Sequence, residues 1–259
     1  ARAAARSRGV PLYRYLAEIY GNPAPTVLPV PQMNILNGGV HADNSLDFQE
    51  FMIVPVGATS FSEALHIGVQ IFQRLRANLQ EQGLSTGVGD EGGFAPELSS
   101  NEDAVRLVWS AVLEAGYPAG GPVKLGLDVA SSEFFSDNCY RLSAENRTMP
   151  TEEFIDFLGT WIERYPILTI EDGLSESDWS GWKLLTDRFG SQVQLTGDDL
   201  FATNPKVLRD GITKGIANSI LIKPNQIGTL TETMDAVKIA QNAGYGVTIS
   251  HRSGETEDT

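Results

Sequence analysis

The sequence has little that would tie it to an oxidising compartment, a membrane or a nucleic acid. It contains one cysteine, Cys139, so no internal disulfide can form and a reducing compartment is favoured. No apolar run approaches the roughly 20 residues that a membrane helix needs. Lys and Arg number 19 against 33 Asp and Glu, and this net charge of −14 argues against nucleic acid or an anionic membrane as the main partner. A local basic pocket for a small anion remains compatible with that balance.

Length and composition are those of one globular domain. The chain has 259 residues, 41% of them apolar and 20% charged, and about 250 residues is ordinary for one eight-stranded (β/α)8 barrel. No linker or low-complexity segment divides the chain, so we expect residues 1–259 to form a single domain. The chain begins without methionine inside a helix-like stretch and stops shortly after a strand, so we expect this domain to be cut at both ends.

Five short apolar runs each end on a charged residue. These residues are separated by 43, 27, 25 and 28 positions, and each interval after the first is about one strand plus one helix. Alternating strands and helices build a parallel sheet, whose strands present their carboxyl ends on one side. The charged residues should therefore meet at one rim. They are Asp128, Glu171, Asp198, Lys223 and His251.

The pattern as a whole predicts an incomplete (β/α)8 barrel. Met33–Leu36 and Phe48–Val54 are joined by a short loop, which predicts an antiparallel hairpin at the start. We count seven strands and no eighth, although a closed barrel of this type needs eight. The other strands are predicted at 123–128, 167–171, 192–196, 217–222 and 246–250.

Helix boundaries follow from capping signals. Ser60 with Glu63 matches a capping box, Ser100 with Asp103 is a weaker cap signal, and Thr151 is a further predicted cap. Helices are accordingly predicted at 1–20, from Ser60 onward, from Ser100 to Gly116, and at 151–164, 179–189, 205–211 and 229–243.

Three carboxylates at successive strand ends would repel each other without a counter-charge, and a bound cation is the simplest resolution. Asp128, Glu171 and Asp198 offer the hard oxygen ligands that Mg²⁺ prefers. Each acid alone is more simply a helix cap or a salt-bridge partner, but their convergence favours a metal site. Asp172 and Asp199 are adjacent alternatives for the ligand role, and spacing does not choose between them.

Lys223 follows a buried strand, where desolvation and nearby cations are expected to depress its pKa and favour a neutral amine that can act as a base. The alternative is a structural ion pair. The loop 87–93 has four glycines and two acids, which permits close approach to a ligand or makes a plain surface turn. His41, in the loop after the first strand, is a candidate phosphate or acid–base contact, and the segment His251–Gly254 offers donors for a phosphate or carboxylate.

Several long strings of the sequence resemble the signature segments of enolase in its bacterial form. The longest are SILIKPNQIGTLTET at 219–233 and ISHRSGETED at 249–258. The resemblance runs nearly the whole length of the chain. The shorter matching strings are NGGVHADN (37–44), FQEF (48–51), VGDEGGF (88–94), LDVASSEF (127–134), IEDGL (170–174) and GDDLF (197–201).

The resemblance implies a glycolytic lyase reaction, the Mg²⁺-dependent dehydration of 2-phosphoglycerate to phosphoenolpyruvate. It implies that Lys223 removes the C2 proton and that Glu91 helps the 3-hydroxyl depart, with Glu50 assisting. A lysine base beside Mg²⁺ that stabilises an ene-diolate is the known pattern of this superfamily. The implied metal ligands are Asp128, Glu171 and Asp198, and the implied substrate-binding residues are His41, Gln49, His251, Arg252 and Ser253, of which Arg252 and Ser253 contact the phosphate.

The resemblance also carries expectations about architecture and context. The family's second barrel strand is antiparallel, in agreement with the predicted hairpin. Its N-terminal capping domain, the last barrel strand and helices, and a later substrate-binding lysine are not in this sequence, which therefore resembles an internal piece of the barrel. A homo-oligomer and a cytoplasmic location are implied for the intact protein, although family members also occur at the cell surface or outside the cell.

Two other interpretations stay open. The chain could belong to another acid dehydratase of the superfamily, or the piece on its own could be inactive or serve only for binding. Glu91 in its glycine-rich loop and the His251–Ser253 segment favour enolase over the first. We expect the isolated 259-residue piece to have little or no dehydratase activity.

Overall fold

The computed structural model describes residues 1–22 and 24–252, and that part of the chain contains ten strands and nine α-helices. The strands are Met33–Asn37 (β1), Glu50–Val54 (β2), Lys124–Asp128 (β3), Phe135–Ser136 (β4), Cys139–Leu142 (β5), Arg147–Pro150 (β6), Ile167–Glu171 (β7), Gln194–Gly197 (β8), Ser219–Ile222 (β9) and Gly246–Ile249 (β10). The α-helices are Arg2–Ser7 (α1), Leu12–Ile19 (α2), Phe61–Glu81 (α3), Asn101–Glu114 (α4), Thr151–Arg164 (α5), Trp179–Phe189 (α6), Pro205–Lys214 (α7), Pro224–Ile227 (α8) and Leu230–Asn242 (α9).

Seven strands form one curled sheet in the order β1-β2-β3-β7-β8-β9-β10. The pairs β1–β2 and β2–β3 are antiparallel, and every later pair in this sheet is parallel. The predicted hairpin and the antiparallel second strand are therefore confirmed. The described residues place seven strands in this sheet and no eighth, so the sheet is a half-barrel, as the fold prediction has it.

A continuous apolar core lies between this sheet and its helices. Helix α3 buries Ile67, Ile71 and Leu75 at the four-residue spacing of one helical face. Burying each such side chain is worth about 1.5–3 kcal/mol. The aromatic rings of Phe48 and Trp161 lie 5.3 Å apart in the same core, which ties the segment before β2 to α5.

The helix caps agree with the sequence prediction at two of three positions. The Ser60 hydroxyl accepts a hydrogen bond from the Glu63 amide, and the Ser100 hydroxyl accepts one from the Asp103 amide, both at 3.1 Å. The predicted cap at Thr151 is wrong. That residue is the first of α5, and its hydroxyl donates instead to Asp178 at 2.6 Å, linking the starts of α5 and α6.

Two further differences have local causes. The helix predicted over 1–20 is divided into α1 and α2, because Gly9 adopts φ 66° and Pro11 has no amide hydrogen to continue the ladder. The sequence pattern also missed a three-stranded antiparallel sheet, β4-β5-β6, inserted between β3 and α5. Its first turn uses the left-handed residues Asp137 and Asn138, and half-buried Cys139 begins β5 immediately after that turn.

No helix within residues 1–22 and 24–252 combines the length and apolar character that crossing a bilayer would require.

Candidate active site

Strand register aligns three of the predicted carboxylates. Glu50 at the start of β2 pairs with Asp128 at the end of β3, and Asp128 pairs with Glu171 at the end of β7. Residues paired across neighbouring strands project to the same face of a sheet. Because β2 is antiparallel to β3, its first residue reaches the rim that the parallel strands reach with their last. A single row of acids therefore runs across the carboxyl rim of the half-barrel.

Two acids of this row, Asp128 and Glu171, are almost fully buried. Asp128 is 4% exposed, and burial together with the charges of Asp198 and Glu91 raises its pKa from 3.8 to about 7. Burial and the charge of Asp128 also raise the pKa of Glu171 well above its ordinary value. The rim thus concentrates more negative charge than a buried site holds without a counter-ion. A divalent cation with oxygen ligands fits this donor set.

Asp198 and Lys223 form a buried ion pair at the ends of β8 and β9. The Lys223 ammonium donates a hydrogen bond to Asp198 Oδ2, and the two side chains are only 14% and 10% exposed. Gln226 donates to the other carboxylate oxygen of Asp198 at 3.4 Å. This ion pair links the predicted base, Lys223, directly to a predicted metal ligand, Asp198.

The predicted depression of the Lys223 pKa is wrong for this structure. Burial does lower the pKa, as expected, but the attraction of Asp198 and its hydrogen bond outweigh burial and raise the pKa above 10.5. The expectation assumed that cations would be the nearest charges. The nearest charge is instead the Asp198 carboxylate, which favours the charged ammonium form of Lys223.

Two groups of three potential ligand atoms lie within 4.8 Å of one another in the described part of the chain. One consists of Asp172, Asp198 and Asp199, and the other of His41, Glu50 and Glu91. The predicted set of Asp128, Glu171 and Asp198 is not one of these groups. Asp198 belongs both to the predicted set and to the group with Asp172 and Asp199. Its carboxylate accepts hydrogen bonds from Lys223 and Gln226.

Asp172, which spacing could not separate from Glu171, has a distinct structural task. Its carboxylate accepts hydrogen bonds from the amides of Asp198 at 2.9 Å and Asp199 at 2.8 Å. Its own amide donates to Thr196 at 2.9 Å, and its backbone adopts φ 40°. Asp172 thus fixes the turn that presents Asp198 at the rim. The sequence alone does not distinguish the roles of Glu171 and Asp172, whereas the hydrogen bonds of the structure do.

The second acidic group lies on the antiparallel side of the rim. His41 Nδ1 is 3.2 Å from Glu91 Oε1, and the carboxyl groups of Glu91 and Glu50 are hydrogen-bonded to each other. Burial and the charge of Asp128 raise the pKa of Glu50 well above its ordinary value. Burial also favours a higher pKa for Glu91, but the hydrogen bond from Glu50 and the proximity of His41 outweigh it and lower that pKa. Of the two glutamates, Glu50 is therefore the more readily protonated.

The other predicted site residues border the same space. Gln49 donates from Nε2 to Asp128 Oδ2 at 2.8 Å and so joins the loop before β2 to the row of acids. His251 and Arg252 follow β10, at the far end of the sheet, and Ser253 lies outside the described residues. One cavity of about 1040 Å³ collects these side chains. Its lining includes His41, Gln49, Glu50, Glu91, Asp128, Glu171, Asp198, Lys223, His251 and Arg252.

Two residues with contacts to the site were missed by the sequence reasoning. Gln226 contacts Asp198, and Asn37 contacts Glu91 from the end of β1. Both lie inside strings that the sequence analysis quotes, but an uncharged amide carries no charge pattern that would single it out.

Comparison with known families supports this arrangement of elements. The family model described as "Enolase, C-terminal TIM barrel domain" matches residues 25–259 of this chain. The match includes every strand of the half-barrel and every residue of the site described above.

Proposed function

The chain belongs to the enolase C-terminal TIM barrel family, and from that premise we propose that the intact protein is an enolase proper, of the bacterial type. It would dehydrate 2-phosphoglycerate to phosphoenolpyruvate with Mg²⁺ as cofactor. Membership of the family indicates a lyase-type enzyme that acts on a small molecule. The observation that carries the finer proposal is that Lys223 and the Glu50–Glu91 pair border one cavity with the carboxylate row Asp128–Glu171.

Asp128, Glu171 and Asp198 are the proposed metal ligands. When bound, Mg²⁺ would supply Lewis-acid stabilisation of the negative charge that develops on the substrate carboxylate. The raised pKa values of Asp128 and Glu171 support this role, because they show how strongly these acids favour a neutralising positive charge. The all-oxygen ligand set supports Mg²⁺ as the proposed metal.

Lys223 is the proposed base for the C2 proton. It must give up its own proton before it can accept one, so its ion pair with Asp198 is expected to loosen in the working site. Glu91 then donates a proton to the departing 3-hydroxyl, which leaves as water. Glu50, whose pKa burial raises, would pass its proton to Glu91 for this step. Over one turnover Lys223 takes up the C2 proton and releases one proton to solvent, while the Glu50–Glu91 pair gives one proton to the leaving hydroxyl and regains one from solvent.

Arg252 and Ser253 are proposed to bind the phosphate, and His251 is a further proposed substrate-binding residue. His251 and Arg252 line the end of the cavity formed by β10 and offer cationic or donor groups there. An overall charge of −14 makes such a local basic contact necessary for an anionic substrate. His41 and Gln49 would contact the rest of the substrate from the opposite side of the rim.

A substrate panel on the full-length protein tests the proposal. We expect turnover of 2-phosphoglycerate with Mg²⁺, measured as the appearance of phosphoenolpyruvate, and none without a divalent cation. Sugar acids that lack a phosphate serve as the comparison. Turnover of such an acid in preference to 2-phosphoglycerate would replace enolase by another dehydratase of the superfamily.

A further inference from the structure

The loop that carries Glu91 is folded around one side chain, that of Asn37. Asn37 is completely buried at the end of β1, and its Oδ1 accepts a hydrogen bond from the Gly93 amide at 2.9 Å. A Cβ atom added at Gly89 would lie 2.8 Å from Asn37 Cβ, and one added at Gly93 would lie 2.8 Å from Asn37 Oδ1. The two glycines let the loop backbone close against this carboxamide from both sides.

The other end of the same carboxamide reaches the site. Asn37 Nδ2 lies 3.4 Å from Glu91 Oε2 and 3.4 Å from the Gln49 carbonyl oxygen, and it donates to both. The second oxygen of Glu91 lies 3.2 Å from His41 Nδ1. Each oxygen of the Glu91 carboxyl group therefore has its own neighbour, one on β1 and one on the loop after it.

We propose that Asn37 is a positioning residue that sets the orientation of Glu91 for proton donation. The inference rests on the proposed function, in which Glu91 protonates the leaving hydroxyl. Only a carboxamide can accept from the Gly93 amide with one atom and donate toward Glu91 with the other. Aspartate has the same shape and keeps the acceptor, but it loses the donor and sets a second negative charge against Glu91.

The test separates the two chemical steps in the full-length protein. Loss of the C2 proton is followed as exchange of that hydrogen of 2-phosphoglycerate with deuterium from solvent, and loss of the hydroxyl as formation of phosphoenolpyruvate. We expect Asn37→Asp to slow phosphoenolpyruvate formation about 10²-fold, the lower end of the range for a positioned acid, while C2 exchange changes less than about twofold. The control is Asn44→Ala, because Asn44 donates to the carbonyl groups of Asn37 and Pro96 rather than to Glu91.

A general loss of folding would slow both steps together, so an equal fall in exchange and dehydration in Asn37→Asp overturns the proposal. If the control changes the ratio of the two steps as much as Asn37→Asp does, the proposal is also overturned. Wild-type protein that gives neither step overturns the proposed function instead.

A second measurement does not depend on activity. The Gly93 amide donates to Asn37 Oδ1, so its hydrogen-exchange rate reports directly whether the Asn37 side chain holds the loop. Asn37→Ala should speed this exchange at least tenfold, whereas Asn37→Asp, which retains the acceptor, should leave it within about threefold of wild type. An unchanged Gly93 rate in Asn37→Ala shows that the side chain does not hold the loop.

Discussion

The two sides of the rim present their functional groups by different means. On the parallel side, from β3 to β9, each charged side chain is the last residue of a strand or follows it directly, so its place is set mainly by strand pairing. On the antiparallel side, His41, Gln49 and Glu91 lie in loops held by side chains that bond to backbone groups. Asn101 is one of these side chains, since its Oδ1 accepts from the amides of Asp47 at 2.9 Å and Phe48 at 3.1 Å.

The difference shows what positions the functional side chains in this half-barrel. A strand end is positioned by the whole sheet, and a single substitution there removes a chemical group without moving its neighbours. A loop is positioned by a few buried amides, and a substitution at one of them moves the groups that the loop carries. The following predictions are ordered by the size of the expected effect.

The sharpest contrast on the parallel side is between Lys223 and Asp198. In the full-length protein Lys223→Ala should slow phosphoenolpyruvate formation at least about 10²–10⁴-fold, the range for a lost general base, while Mg²⁺ affinity stays within a few-fold. Asp198→Ala should instead lose Mg²⁺ affinity. Calorimetric titration with Mg²⁺ beside steady-state rates distinguishes them, and equal losses of Mg²⁺ affinity in both variants would show that the roles are wrongly assigned.

The buried acids of the parallel side should make the metal-free protein pH-sensitive. The folded-state pKa of Asp128 is about 7 and its ordinary value is 3.8, so between these values the folded state binds more protons than the unfolded state. The free energy of unfolding without metal should therefore fall, by an amount on the order of a few kcal/mol, as pH rises through this window. Denaturant unfolding in a chelator at pH 5 and pH 7.5 measures the change.

Two controls accompany that experiment. Mg²⁺ competes with protons for the same oxygens, so the stabilisation it confers should increase over the same pH interval. Asp128→Asn removes the titrating group and should flatten the dependence. A dependence as steep in Asp128→Asn as in wild type would place its origin elsewhere.

The antiparallel side should respond to a single added methyl group. In Gly93→Ala the new Cβ would lie 2.7 Å from the Leu36 amide nitrogen as well as against Asn37, so backbone must move. We expect a loss of about 1–3 kcal/mol of stability together with lower activity. Gly87→Ala is the matched control in the same loop, since its Cβ would meet only the Ser85 hydroxyl at 3.3 Å. Equal melting temperatures for the two variants would contradict a tightly seated loop.

Asn101→Ala should give the smallest of these effects on activity. It leaves the amides of Asp47 and Phe48 without their acceptor, and an unsatisfied buried donor costs about 1–3 kcal/mol. Because Gln49 follows directly, we expect KM for the substrate to rise more than kcat falls. Asn204→Ala, which removes a cap of α7 on the outside of the barrel, should reduce stability by about 1 kcal/mol with KM unchanged. A similar KM shift in both would remove the link between Asn101 and the site.

The same division governs what the sequence reveals. The parallel units follow hydrophobic periodicity, and the predicted bounds of β7, α5 and α6 coincide with the structure. Strand β9 begins two residues later than predicted, because Ala217 adopts φ 61° and the Asn218 side chain bonds to the turn before β8. The strands β4–β6 were not predicted, because segments of two to four residues are too short to show a hydrophobic periodicity.

For the site, charge at strand ends predicted which side chains meet, but not how they are paired. Asp172 and Glu171 are equivalent by spacing, and only their hydrogen bonds separate them. The pKa of Lys223 depends on whether a cation or a carboxylate is its nearest neighbour, which periodicity does not encode. Periodicity did not predict the contacts of Asn37 either, because they are hydrogen bonds to backbone groups of Gln49 and Gly93, which are distant in sequence.

The two amides that converge on Asp172 make position 172 unusually selective between chemical isosteres. Replacing one oxygen by an NH₂ group leaves the outline of the side chain unchanged, yet it turns hydrogen toward hydrogen at either Asp198 or Asp199. The Asp172 side chain would then lose one of the two hydrogen bonds that it accepts from the segment after β8. Asparagine, commonly the mildest exchange for aspartate, is here the substitution that converts an attraction into a repulsion.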